Sequence, residues 1–140
     1  MVALLCMGGI GMAYALYDKV TAPDRSAPDV AVDNYLRAAL VERDAVVANQ
    51  FVCREPSLHL IDDLKSEIQR REDQFDVTDS VSWGPLMRQS VAEDRELVDV
   101  ELVIMGVADG VTQSRRSEQW TFDVVNERGW RVCGVSRSQP

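Results

Sequence analysis

The spacing of apolar residues changes character twice along the chain. Val2 to Tyr17 (VALLCMGGIGMAYALY) carries no charge and has no polar face, the pattern of a lipid-embedded helix or a signal segment rather than of a core helix. Between Asp29 and Gln50 the period is helical: Val32, Tyr35, Leu36, Ala39, Leu40, Val46 and Val47 fall at 3-and-4 spacing, running on to Phe51. Pro28 and Asp29 suit its first turn, and Cys53-Arg54-Glu55-Pro56 breaks it. A second helix is predicted from Ser57 to about Gln74, with a narrower stripe of Leu60, Ile61, Leu64 and Ile68. From Val77 onward the period becomes two. Val98, Val100, Leu102 and Ile104 alternate with Asp99, Glu101 and Val103, and Trp120, Phe122 and Val124 alternate with Thr121 and Asp123. A run at Val77–Val91, broken or bulged around Gly84-Pro85, and a last run at Trp130–Ser136 bring the expectation to about four antiparallel strands. Turns are read at Ala108-Asp109-Gly110 and Asn126-Glu127-Arg128-Gly129. Helices followed by long strands predict an α+β domain, with helices on one face of a bent sheet.

At 140 residues the chain has room for one ordinary domain. Hydrophobic residues at 46% and charged residues at 27% exclude a disordered chain and a multi-span membrane protein. Asp and Glu number 23 against 15 Lys and Arg, a net charge of -8, which argues against a nucleic-acid partner. Residues 1–17 are read as a single-pass membrane anchor, residues 18–28 as a linker and residues 29–140 as the domain. Sixteen helical residues reach roughly 24 Å against ~30 Å of hydrocarbon, so the anchor reading places its true start further upstream. The alternative is a cleaved signal peptide, with Ala13-Tyr14-Ala15 as its small-x-small site. Lys19 and Arg25 follow the run and no basic residue precedes it, a count that favours a cytoplasmic domain. Cys6 follows Leu5, where a lipoprotein signal needs a small residue, and is read as a thiol within the hydrophobic run.

Little in the rest points to catalysis, and no catalytic residue, metal ligand or cofactor is assigned. His59 is the only histidine and no GxSxG elbow accompanies it. No CxxC spacing suggests zinc, and the acidic run of Asp62, Asp63, Glu67, Glu72, Asp73, Asp76 and Asp79 lacks calcium-loop spacing and reads as a solvated surface. Arg115-Arg116 is too short for a basic patch and is read as an exposed hairpin segment.

An apolar N-terminal run, a linker, a helix of the type VDNYLRAALVERDAVVANQFVC and a final strand ERGWRVCGVS together resemble the membrane-anchored nuclear-transport-factor-2-like (cystatin-like) domains of actinobacteria, among them the lumazine-binding-like and Mce-associated small membrane proteins. The resemblance implies a cone-shaped domain in which the end of the first helix packs on the last strand. That would bring Cys53 to Cys133, either as a disulfide or as an unlinked buried thiol pair; a disulfide requires an oxidising compartment and overrides the charge count, placing the domain outside the cytoplasm. It also implies that Tyr35, Trp83, Met87, Trp120, Phe122 and Trp130 either fill the core or line a pocket at the open end of the cone. Steroid-isomerase relatives of this fold use a cavity carboxylate, for which Asp99, Glu101 or Asp123 facing Tyr35 would stand. Three functions are therefore carried forward. The first is a non-enzymatic, membrane-tethered extracytoplasmic domain that binds envelope proteins; the second is a binder of a small apolar ligand; the third is such an isomerase.

Overall fold

The computed structural model describes residues 23–138. The predicted anchor, Cys6 and residues 18–22 of the linker lie outside the described residues. Among the described residues, no helix is long and apolar enough to cross a membrane.

Helix α1 (Pro28–Leu36) starts with proline in its first turn and buries Ala31, Val32, Tyr35 and Leu36. It does not continue to Gln50 as its stripe predicts. It widens into a π turn at Arg37–Val41, where Glu42 N–H donates to the Arg37 carbonyl at 2.8 Å, and the chain reverses at Arg43 with φ 54°. Asp44 then restarts a short helix α2 (Ala45–Ala48), its carboxylate accepting from the N–H groups of Val46 and Val47. A 3₁₀ turn at Asn49–Phe51 leads into strand β1 (Val52–Ser57). Helix α3 (His59–Phe75) begins two residues later than predicted and buries Ile61, Leu64 and Ile68.

The sheet has six strands rather than four: β1, β2 (Thr78–Trp83), β3 (Met87–Ala92), β4 (Arg95–Ala108), β5 (Val111–Asn126) and β6 (Trp130–Ser138). Their order is β1-β6-β5-β4-β2, with β3 beside β4 along the same edge as β2. The two added strands have plain causes, the first at a break the sequence already marks. Gly84-Pro85 cuts the Val77–Val91 run into separate strands, because proline cannot donate to the ladder. The Cys53–Pro56 segment, read as a breaker, is an edge strand, and it pairs in parallel with β6 rather than antiparallel. The long β4–β5 hairpin closes through Asp109 and Gly110, both at positive φ (52° and 75°), as a two-residue turn of this hand requires.

Opposed residues in antiparallel strands share a face. Val98↔Phe122 and Val100↔Trp120 are therefore on the inner face, under α1, with Leu102, Ile104, Val124 and Val132. Continuing the same register outward, Leu102↔Glu118, Ile104↔Arg116 and Gly106↔Ser114 carry that face into charged residues. The inner face thus has an apolar half and a polar half.

Candidate functional site

The polar half lies under the C-terminal part of α3. Asp79 on β2 pairs with Gly106, so its carboxylate is directed inward and is buried. Arg71 of α3 approaches it at 3.5 Å and donates to Ser114 Oγ at 2.8 Å. Arg116, read as exposed, turns inward beside Arg115 and pairs with Glu67 of α3 and Glu118 of its own strand, while Arg137 on β6 reaches Glu118 at 3.2 Å. At the other flank Arg43, positioned by its positive φ, forms a two-pronged pair with Glu72 at 2.7 and 3.0 Å. The four arginines and four carboxylates balance. Packing here is close: a Cβ on Gly106 would stand 2.7 Å from Ser114 Oγ and 2.9 Å from Asp79 Oδ1.

Two kinds of carboxylate result. The Arg116 hydrogen bond holds Glu67 below the usual range, and the Arg43 hydrogen bonds do the same for Glu72. Asp79 shifts the other way, because burial outweighs the attraction of Arg71, and neither of its oxygens has a hydrogen-bond partner among the described residues. With its folded pKa above the unfolded one, the folded chain holds more protons through that window, and stability falls as pH rises across it. The cost is fully present at neutral pH. Asp79→Asn is therefore expected to be more stable than the parent at pH 7, on the order of 1 kcal/mol, with the gain gone below the ordinary aspartate value of 3.8. Urea unfolding of both chains at neutral and acid pH measures this; a loss at pH 7 would mean that the pairing with Arg71 dominates.

The cluster has no nucleophile–base pair. Ser114 accepts from Arg71, and His59 is exposed at the opposite end of α3. Asp99, Glu101 and Asp123 lie on the outer face, bonded to Thr121, Gln119 and Arg95. None of them faces Tyr35.

The aromatic candidates separate. Trp120 and Phe122 are 1% and 0% exposed and fill the interior, and Tyr35 stands edge-on to Phe122 with ring centres 6.3 Å apart. Trp83 and Trp130 are half-buried at the margin of this core; the Trp83 indole donates to Asp33 at 2.8 Å and so ties β2 to α1. Met87 is 63% exposed on β3. Tyr35 reaches an open cleft of about 420 Å³ between α1, α2, β1 and the start of α3, where Ala39, Ala48, Val52, Pro56 and Leu58 form apolar walls and His59, Asp62 and Lys65 a polar rim. Burial, with the Asp62 charge adding to it, pushes the Tyr35 hydroxyl upward, so it stays neutral. Cys53 and Cys133 are joined as a disulfide with Cα atoms 5.1 Å apart.

The sequence reading missed Asp79 as an inward residue by counting it with the acidic surface run. The signal was present: with Val81 and Trp83 facing in, the residue two before Val81 shares their side.

No family model matches the chain, and no curated protein does. Among solved structures it is similar to an NTF2-like protein of unknown function in nutrient uptake from Rhodospirillum rubrum, with a TM-score of 0.53 and 15% identity over 77% of this chain and 94% of that one. Weaker likenesses are to a protein provisionally assigned as an aromatic ring hydroxylase from Novosphingobium aromaticivorans (TM-score 0.49, 13% identity, 81% and 90% covered) and to the intermembrane-space region of the chloroplast protein ARC6 (0.42, 11%, 84% and 100%). The first defines the class of fold: an NTF2-like α+β domain.

Proposed function

We propose that this chain is a non-enzymatic accessory domain, tethered by its apolar N-terminal run on the outer side of a cell membrane, that works by binding envelope proteins. Kinship with the lumazine-binding-like and Mce-associated small membrane proteins belongs to the same reading. The observation that carries it is strand β3. All six of its residues are exposed, and its far edge pairs with no other described strand. Register puts Met87 and Gln89 on the outer face beside Asp99 and Leu97. An open edge with Met87 and Val91 exposed beside it is a template for strand addition by a partner. The filled interior and the outward Asp99, Glu101 and Asp123 support a binding role over an isomerase one. The Cys53–Cys133 disulfide supports an oxidising compartment.

A photoreactive residue at position 89 of the full chain, expressed in its own cells, is expected to give one protein adduct of defined mass, while the same residue at exposed Arg70 on α3 gives none. Equal labelling from both positions, or none from β3, would sink the strand-addition reading.

The second reading, a carrier of a small apolar ligand, is favoured by the cleft at Tyr35. Native mass spectrometry of chain purified without added ligand separates the two, because a carrier retains a small molecule and a scaffold does not.

A further inference from the structure

The seven arginines Arg37, Arg43, Arg71, Arg88, Arg95, Arg116 and Arg137 each pair with a carboxylate. Among the described residues six do not, and four of those six collect at one end of the domain. Arg54 on β1, Arg128 in the β5–β6 turn and Arg131 on β6 line a depression of about 620 Å³ together with Val52, Cys53 and Glu127. Arg25 adjoins it: a Cβ on Gly129 in that turn would meet the Arg25 side chain at 3.1 Å, and the Arg25 carbonyl accepts from Trp130 N–H at 2.9 Å. The bonds that these guanidinium groups make are to neutral carbonyls. Arg25 donates to Gln50 at 2.7 Å, and Arg131 donates to Glu127 at 2.8 Å and to Val52 at 3.4 Å. Glu127 is the one carboxylate among the described residues that line it, and Asp24, next to Arg25 in the chain, stays charged while accepting from Ser26, so the four arginines outnumber the two carboxylates. A local excess of positive charge on a chain of net charge -8 marks a place for an anion.

Its position says which anion. Arg25 is where the N-terminal segment joins the domain, and seven residues (18–24) separate it from Tyr17, the last residue of the apolar run. Eight backbone steps span at most about 28 Å, so an inserted run would keep the depression within that reach of the membrane surface. The disulfide fixes β1 to β6 and thereby holds Arg54 beside Arg131.

We infer that the Arg25–Arg54–Arg128–Arg131 depression is a docking site for the phosphate headgroups of anionic lipid, orienting the tethered domain on its membrane. The inference rests on the tethered reading above. Guanidinium suits the task, because it stays charged and meets two phosphate oxygens at once.

The test places the full chain in nanodiscs of phosphatidylcholine, with and without phosphatidylglycerol, and follows arginine modification by phenylglyoxal through peptide mass spectrometry. Arg54, Arg128 and Arg131 are expected to react about fivefold more slowly in the anionic discs, the factor equivalent to about 1 kcal/mol per arginine at an anionic surface. Exposed Arg70 and Arg115 serve as controls and should not change. Added salt should abolish the difference. Inorganic phosphate with neutral discs is the arm for a free anion, and equal protection there would overturn the lipid assignment. A chain that enters both discs without selective protection overturns the docking site and leaves the tether standing. A chain that enters neither overturns both.

Discussion

Replacing Cys53 and Cys133 together by alanine should lower the unfolding free energy by roughly 4.5 kcal/mol, the chain-entropy value for a loop of this length. The bond joins residues separated by 80 positions, so without it the unfolded chain regains nearly the whole conformational freedom of the domain. Alanine is preferred to serine because Cys53 is 5% exposed and a hydroxyl there would need a partner. Much of the consequence should appear in β1. Its ladder to β6 has partners at Val52↔Val132 and Ser57↔Gly134, with a register shift between them, and the covalent link lies within that shift. The cost is a large share of a stability that for domains of this size lies near 5–15 kcal/mol. Urea unfolding of oxidised parent and variant checks the value. Reducing the parent should reproduce the loss, and reducing the variant should do nothing. Amide exchange should show β1 loosening before β4 and β5.

The parts of this fold that sequence reveals are those whose pattern is set by burial on one side only. In β4 and β5 the alternation is unbroken over Val98–Ile104 and Trp120–Val124, because each strand has two neighbours and one covered face. Strand β1 has one neighbour and four exposed residues of six, so no alternation marks it, and Pro56 misdirects. The long first helix failed for a different reason. Its 3-and-4 spacing survives past Arg43, while the break is local, a positive φ followed by the Asp44 cap. A capping residue inside an apolar period was the available sign. The Cys53–Cys133 link came from resemblance of the whole layout and is present in the structure. The charged half of the inner face was hidden, because alternation tells which residues share a side but not where α3 ends its apolar cover. Arg116 and Asp79 are legible only once register is known. The arginine depression is further from sequence still. Arg25, Arg54, Arg128 and Arg131 are scattered over more than a hundred positions, and only the β1–β6 pairing and the β5–β6 turn bring them to one end.

Trp120→Ala should cost about 3–5 kcal/mol and at the same time create a binding site that the parent lacks. The indole is 1% exposed, faces Val100 across the β4–β5 ladder, donates to Glu118 at 3.2 Å and lies under the Arg137 guanidinium, 5.6 Å from its ring centre. Truncation removes the largest of the fully buried side chains. Interior side chains relax only partly around such a gap, and free indole supplies both the ring that fills it and the N–H that Glu118 loses. Indole added to the variant should therefore raise its melting temperature in a concentration-dependent way, as binding to the folded state alone requires. The parent should not respond, since Trp120 and Phe122 already occupy the space in which an interior ligand would sit. Thermal unfolding of both chains over an indole series reads the two claims separately. A variant that loses stability without rescue means the sheet collapses onto the gap. A parent that gains stability from indole means that the cleft at Tyr35 takes an apolar ligand without any change in the filled interior, and the ligand-carrier reading then displaces the scaffold.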